Sequence, residues 1–220
     1  MGKVIIQEET PLNPITLIGK QAGICYGADT SDPTKNFKRG LDCLKSNHGR
    51  TLEFPDVYII LDGYSARVIR EWYTHIGGAP TRLQASTRYI KYQNGFDYII
   101  PPSIKNNPPA CDEYKAAMDM ILTTLRALEE RGVPKEDSAN LLPLGMTTKI
   151  VCKHNLRNLI DMSHQRECTR AYWEYRQLFN DLKKALRSYS SEWEYIINTF
   201  FMPKCELYGK CTEKNSCGRI

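Results

Sequence analysis

The segment Ser86-Thr87-Arg88-Tyr89 has the residue types and spacing that bind phosphorylated ligands. The pattern predicts it as the start of a strand, where Ser86 and Arg88, two residues apart, would share one face. A guanidinium binds phosphate bidentately, and hydroxyl and backbone N–H groups add further donors. The segment therefore predicts a phosphate cradle, with a surface arginine on an exposed strand as the alternative.

A second polar group lies on a predicted long helix over residues 153–188. Four of its side chains recur at the helical spacing i, i+4, i+7 and i+11: Asn155, Leu159, Met162 and Arg166. This stripe places an amide and a guanidinium about 16 Å apart on one face, where they could flank an elongated ligand. The alternative is that Arg166 pairs with a nearby carboxylate such as Glu174 or Asp161.

The elements that must position these groups follow from periodicity and turn residues. Residues 57–61 alternate as a strand that ends in a turn at Asp62-Gly63. Ser65 can cap a helix that runs through Trp72 and stops before Gly77-Gly78. Because Asn94-Gly95 accepts positive φ at both central positions, residues 88–92 and 96–100 are predicted to form a hairpin.

The rest of the chain predicts a mixture of helices and strands without repeats. Helices are expected at about 32–46 and 112–131 and after Pro134, and a strand at 146–151. This order favours an α+β fold, in which an antiparallel sheet packs with helices and one long C-terminal helix completes the domain. The 220 residues are expected to form a single domain over residues 1–202, followed by a Cys-rich tail over residues 203–220.

The composition bounds the partners and the location. A net charge of +5 mildly favours anionic small ligands, but the basic residues are scattered, so no nucleic-acid partner is expected. The sequence has no run of eighteen apolar residues, and its first nine residues are too short and acidic for a signal peptide. We therefore expect a cytoplasmic protein with no membrane contact.

Eight cysteines fall into two groups. Five dispersed residues are expected to be mostly buried thiols: Cys25, Cys43, Cys111, Cys152 and Cys168. The other three form a Cys-x5-Cys-x5-Cys tail: Cys205, Cys211 and Cys217. A tetrahedral zinc site would need a fourth ligand, with Cys25 or Cys43 as candidates. Our prediction is no metal site and no redox chemistry, because no Cys-x2-Cys pair or adjacent cation lowers a thiol pKa.

The Ser-x-Arg-Tyr segment, the Asn155-Leu-Arg157-Asn158 segment and Arg166 together resemble the flavin-dependent thymidylate synthases. The resemblance spans most of the chain. It implies FAD as cofactor, NADPH and 5,10-methylenetetrahydrofolate as co-substrates, and a homotetramer that converts dUMP to dTMP.

The resemblance also implies roles for individual residues. Arg166 matches the catalytic arginine that binds the pyrimidine ring of dUMP and favours its ionised form at N3. The substrate site would comprise Glu71, Thr74, Gln84, Ser86, Thr87 and Arg88. The cofactor site would comprise His48, Thr51, His75, Ile76, Arg82, Asn155, Arg157 and Asp161.

The sequence departs from the family at its Arg-His-Arg motif. Thr74 and Ile76 stand where the two arginines flank the motif histidine, and Ala139 replaces an arginine that contacts the nucleotide phosphate. Each lost charge-assisted contact costs about 1.5–3 kcal/mol. Arg82, at the end of a two-residue insertion, is expected to restore one guanidinium. Two alternatives stay open: a flavin enzyme that modifies another pyrimidine nucleotide, and a degenerate, non-catalytic nucleotide-binding homologue.

Overall fold

The computed structural model describes residues 2–92 and 94–220, which contain one four-stranded antiparallel sheet. Its strands are β1 (Lys3–Ile6), β2 (Asp56–Ser65), β3 (Thr81–Gln84) and β4 (Thr147–Asn155), in the order β1-β2-β4-β3. Strands β2 and β4 run together over nearly their full lengths, with Ile59 opposite Cys152. The turn expected at Gly63 is instead a bulge, where φ is +76° and the strand continues to Ser65.

Helices pack against the sheet and against one another. Their bounds are α1 (Pro14–Cys25), α2 (Pro33–Lys45), α3 (Ala66–Trp72), α4 (Pro102–Lys105), α5 (Pro108–Glu130), α6 (Lys135–Ser138), α7 (Leu156–Arg166), α8 (Trp173–Tyr189), α9 (Ser191–Phe200) and α10 (Lys204–Tyr208). The alternation in β2 buries Val57, Ile59 and Leu61 against these helices. The predicted helices near 32–46 and 112–131 and after Pro134 are confirmed, and so are the strands predicted at 57–61 and 146–151.

The single long helix predicted over 153–188 is wrong. Residues 153–155 belong to β4, where Asn155 pairs with Asp56 of β2. The helical region then divides into α7 and α8, separated by residues 167–172. Asn155 caps α7, since its side chain accepts a hydrogen bond from the backbone N–H of Asn158 at 2.9 Å. Pairing with β2 and this cap thus set a boundary that helical periodicity does not reveal.

The hairpin predicted around Asn94-Gly95 is also wrong. Residues 88–92 form no strand, and Tyr98 makes only an isolated bridge to Met146. The backbone N–H of Ile99 donates to the carbonyl of Gly145, and that of Thr147 donates to the carbonyl of Asp97. The second half of the expected hairpin therefore bonds to the chain before β4. Gln93, beside the expected turn, lies outside the described residues.

Helix α1 has no counterpart in the sequence prediction, because Gly19 and Gly23 interrupt its apolar pattern. Gly19 and Gly40 let α1 and α2 lie in close contact: a Cβ at Gly19 would stand 1.7 Å from the carbonyl oxygen of Asn36. A Cβ at Gly40 would stand 1.9 Å from the carbonyl oxygen of Ile15. The helix–helix contact offsets the low helix propensity of these glycines. Within the described residues, no helix is both long and apolar enough to cross a membrane.

Candidate active site

Arg166, the last residue of α7, is held by three side chains from the end of α3 and the turn after it. Its Nε donates to Nε2 of His75 at 2.8 Å, and its Nη1 donates to Oε2 of Glu71 at 3.0 Å. Its Nη2 reaches Oγ1 of Thr74 at 3.4 Å. The side chain is only 20% exposed, so this cluster fixes the direction of the guanidinium.

The sequence offered pairing of Arg166 with a carboxylate such as Glu174 or Asp161 as an alternative. Arg166 does pair with a carboxylate, but that carboxylate is Glu71. Glu174 instead accepts hydrogen bonds from the backbone N–H and hydroxyl of Ser65. Asp161 is exposed on the outer surface of α7. The pairing therefore joins two residues that the resemblance already assigned to the substrate.

An aromatic stack supports the guanidinium from below. The Cζ of Arg166 lies 4.4 Å from the ring centroid of Tyr175, which is in α8 and has no exposed surface. The Tyr175 ring in turn stacks on Trp72, with centroids 5.9 Å apart. Tyr175 was not among the predicted site residues, because it is one aromatic among several at the start of α8 and no spacing singles it out.

His75 is neutral in this cluster. Burial and the positive charges of Arg166 and Arg82 lower the pKa of His75 to about 4. Because its Nε2 accepts the hydrogen bond from Arg166, the hydrogen-bond network assigns the proton to Nδ1. A neutral histidine can therefore orient Arg166 without repelling it.

A second buried histidine, His154, connects α3 to the start of α7. It was not among the site residues predicted from the sequence. The indole N–H of Trp72 donates to Nε2 of His154 at 2.9 Å, and Nδ1 of His154 lies 2.6 Å from Oδ1 of Asn158. Burial lowers the pKa of His154 to about 4, although its hydrogen bond with Asn158 acts in the opposite direction. This neutral histidine connects the Arg166 cluster to the N-terminal cap of α7.

Arg82 lies beside the cluster at the start of β3. Its Cζ stands 4.6 Å from the ring centroid of Tyr73, and its Nη1 reaches the carbonyl oxygen of Trp72 at 3.4 Å. Its charge contributes to the lowered pKa of His75. Arg82 therefore lies near His75, and its role as a compensating cation stays a prediction.

The turn before β2 meets the start of α7 and forms a second cluster. Arg157 Nη1 lies 2.7 Å from Oε1 of Glu53, whose Oε2 is 3.4 Å from Arg50. The buried Thr51 donates its hydroxyl to the carbonyl of the exposed His48 at 2.8 Å. The structure therefore brings His48, Thr51 and Arg157 together in one region.

A glycine turn connects the two clusters. Gly78 has φ of +70°, and a Cβ there would stand 2.1 Å from Nδ2 of Asn155. Asn155, a predicted cofactor residue, is buried and reaches the Gly78 carbonyl at 3.4 Å. Ile76, in the same turn, is 72% exposed.

The predicted phosphate segment does not join the Arg166 cluster through any contact among the described residues. Ser86 and Arg88 lie in a turn, so the expectation that they share one face of a strand is wrong. Arg88 is exposed, with its Cζ 5.6 Å from the Tyr89 ring centroid, and Thr87 faces α5. Gln84, at the end of β3, reaches the hydroxyl of Thr148 at 3.4 Å.

The tail thiols do not all have ordinary surroundings. A hydrogen bond with the Thr169 side chain is the main cause of a lowered pKa at Cys217, and Arg219 contributes to it. The expectation that no adjacent cation lowers a thiol pKa in the tail is therefore wrong at this position, since Arg219 is such a cation.

Comparison with known proteins decides the family. The family model of thymidylate synthase complementing proteins, Thy1, matches residues 8–189. The chain belongs to this family. A flavin-dependent thymidylate synthase from Geobacter sulfurreducens is 26% identical, over 99% of this chain and 94% of that protein. Another from Clostridium tetani is 28% identical, over 99% of this chain and 93% of that protein.

Two solved structures share the fold of this Thy1 family member. A UMP/dUMP methylase, PolB from Streptomyces cacaoi, bound with 5-Br dUMP, gives a TM-score of 0.74 at 14% identity, over 91% of this chain and 96% of that one. The flavin-dependent thymidylate synthase ThyX from Helicobacter pylori, complexed with FAD and dUMP, gives 0.69 at 18% identity, over 90% and 99%. The resemblance, the α+β class and the enzyme class predicted from the sequence are confirmed.

Proposed function

We propose that this chain catalyses the reductive methylation of dUMP to dTMP, with FAD as cofactor and NADPH and 5,10-methylenetetrahydrofolate as co-substrates. One observation carries the proposal: Arg166 is held by Glu71, Thr74 and a neutral His75 in a chain whose family match covers residues 8–189. A degenerate homologue would have no need for so constrained a guanidinium.

Arg166 retains donors for a ligand. Three of the five N–H groups of a guanidinium are engaged by the protein, which leaves two. A pyrimidine presents carbonyl oxygens and, when ionised at N3, a negative charge that these donors stabilise. Arg166 would therefore bind the base and favour its ionised form, while His75 and Tyr175 keep the guanidinium in place.

The cluster at the turn before β2 fits a dinucleotide cofactor. Arg50 and Arg157 share a single carboxylate, Glu53, so the cluster has an excess of positive charge for a pyrophosphate. His48 is exposed beside these residues, and Thr51 holds the turn by donating its hydroxyl to the His48 carbonyl. Asn155, Ile76 and Asp161 would contact other parts of the same cofactor. When bound, the flavin supplies hydride to the reaction.

Ser86, Thr87 and Arg88 would serve the nucleotide phosphate of a neighbouring subunit in a homotetramer. The exposed Arg88 supports this role. The large apolar side chains near it are also exposed to solvent: Leu83 is 70% exposed and Tyr89 76%. Helix α5 has 23 residues but buries only Met118 and Leu125, which leaves most of its surface for a partner. A cytoplasmic location is part of the same proposal.

The experiment is a turnover assay with reduced nicotinamide and methylenetetrahydrofolate, in which dUMP is compared with UMP and dCMP. We expect a yellow protein with flavin absorbance and turnover that depends on dUMP. Turnover with UMP or dCMP instead would favour a flavin enzyme for another pyrimidine nucleotide. A colourless protein that does not bind added FAD would support the degenerate homologue.

Arg82 would replace one of the cations missing at Thr74 and Ile76. We expect Arg82→Ala to lower nucleotide or flavin affinity by roughly ten- to a hundredfold, the equivalent of about 1.5–3 kcal/mol. The matched control is Arg70→Ala, since Arg70 is exposed on α3 and should matter much less. Titration calorimetry with dUMP and FAD measures both variants, and equal, negligible effects would refute compensation by Arg82.

A further inference from the structure

The C-terminal tail, residues 203–220, lies against the connection between α7 and α8. Arg219 Nη1 donates to the carbonyl oxygen of Glu167 at 3.1 Å, and Arg170 Nε lies 3.4 Å from Oε2 of Glu213. Arg170 also reaches the carbonyl of Asn215 at 3.4 Å. Exposed contacts of this kind contribute about 0–1 kcal/mol each. They place the tail but do little to hold it.

The tail has no apolar core of its own. Pro203 is the last buried residue, and no described side chain from Lys204 to Ile220 is buried. Its only regular element is α10, five residues long. A segment this short without a core generally needs a disulfide or a metal ion to stay folded.

Four thiols line one cavity at this junction. The cavity has a volume of about 290 Å³ and combines one cysteine of the α7–α8 connection with three of the tail: Cys168, Cys205, Cys211 and Cys217. All four are free thiols. Neither Cys25 nor Cys43, the fourth ligands suggested by the sequence, lines it. The tertiary structure thus supplies a fourth sulfur that the tail alone lacks.

We propose that Cys168, Cys205, Cys211 and Cys217 bind one zinc ion, which fastens the tail to the connection that follows Arg166. Four thiolates form a closed tetrahedral set typical of structural zinc sites. The resulting charge of −2 would lie beside Arg170 and Lys204, which line the same cavity.

Binding requires the thiols to move towards one another. Among the described residues, no three His, Cys, Asp or Glu side chains as they stand converge closely enough to hold an ion. Each cysteine can redirect its sulfur about the single torsion χ1, and the exposed tail has no packed core to resist. Metal binding and ordering of the tail would therefore be one event.

The consequence concerns the catalytic arginine. Cys168 is two residues from Arg166, so an ion bound there would anchor the end of α7 through the chain itself. This role is structural and does not depend on which nucleotide the enzyme uses. Its failure would leave the proposed function untouched.

The test is metal analysis of the full chain, produced in zinc-supplemented medium and purified without chelator. We expect about one zinc per chain in the wild type, and its loss in Cys168→Ser and in Cys217→Ser. Cys25→Ser and Cys111→Ser are controls, because neither residue lines the cavity, and both variants should retain the ion. Equal loss in controls and test variants would count against the site.

Two further measurements keep the proposal falsifiable if the serine variants fold poorly. Cobalt(II) added to the metal-free wild type should give the intense absorption of thiolate-to-metal charge transfer, and its absence, together with no bound zinc, would overturn the proposal. The second is a thiol count in denaturant and chelator without reductant. It should give all eight cysteines, whereas six or fewer would show that a disulfide holds the tail instead.

Discussion

At the scale of single residues, Arg166 owes its orientation to chemistry that lies far away in sequence. His75 and Glu71 are 91 and 95 positions from it, and both accept its hydrogen bonds. Tyr175 supports the flat face of the guanidinium. The site is therefore built by preorganisation: a cation is held by one anion, one neutral imidazole and one ring.

Substitutions of Tyr175 separate its ring from its hydroxyl. The hydroxyl is buried without a hydrogen-bond partner among the described residues. Tyr175→Phe should therefore retain turnover and raise the free energy of unfolding by about 1 kcal/mol. Tyr175→Leu removes the ring beneath Arg166 and should lower kcat/KM for dUMP about tenfold. Steady-state kinetics and urea denaturation measure both, and equal kinetics for the two variants would contradict the support role.

The neutral His75 predicts a dependence of stability on pH. In the unfolded chain a histidine takes up a proton below pH about 6.5, whereas folded His75 resists protonation until pH about 4. The free energy of unfolding should therefore fall as pH drops through this window, by up to about 1.4 kcal/mol per pH unit for this group. Denaturation at several pH values should show a smaller slope for His75→Gln than for the wild type. An unchanged slope would mean that His75 is not the group responsible.

At the scale of elements, the glycine turn between α3 and β3 couples both clusters to the cap of α7. Gly78→Ala must adopt positive φ and also displace Asn155, because the new Cβ would meet Nδ2 at 2.1 Å. Gly27 is a matched control: its φ is +61°, and a Cβ there would meet nothing within 4 Å.

We expect Gly27→Ala to lower the free energy of unfolding by about 1 kcal/mol through backbone strain alone. Gly78→Ala should lower it by about 1 kcal/mol more, since the cap of α7 is also disturbed. Urea denaturation of the two variants measures the difference. Equal losses would show that the contact with Asn155 has no energetic weight.

At the scale of the whole molecule, the proposed tetramer would explain why the two predicted halves of the substrate site lie apart in one chain. Arg88 is exposed, whereas Arg166 is largely enclosed by its own chain. If sites are shared, Arg88 of one subunit would serve the nucleotide bound at Arg166 of another.

Mixing two impaired variants tests this arrangement. At a dUMP concentration well below the KM of Arg88→Ala, this variant and Arg166→Ala should each lose most turnover alone, Arg88→Ala through KM and Arg166→Ala through kcat. Co-expressed, they should form mixed tetramers in which some sites have both arginines intact, so part of the activity returns. Tetramers confirmed by light scattering that recover no activity would place both arginines in one subunit's site.

The sequence by itself determined the features that depend on near neighbours. Ser65 caps α3, alternation marks β2, and the stripe on α5 predicts its helix to within a few residues. The family resemblance also assigns a catalytic role to Arg166, which stays a prediction. Such signals survive because a cap or a periodic face involves residues within one or two turns of each other.

Only the tertiary structure decided what each of those elements meets. Pairing with β2 places residues 153–155 in a strand, although periodicity predicts them as the start of a helix. Hydrogen bonds to residues 145–147 replace the expected hairpin. Cys168 lines the same cavity as tail cysteines that are 37 or more positions away. His75 and Glu71 hold Arg166 from 91 and 95 positions away. Local propensity contributes a few tenths of a kcal/mol per residue, and burial and long-range pairing outweigh it, so the partners are fixed only when the chain is packed.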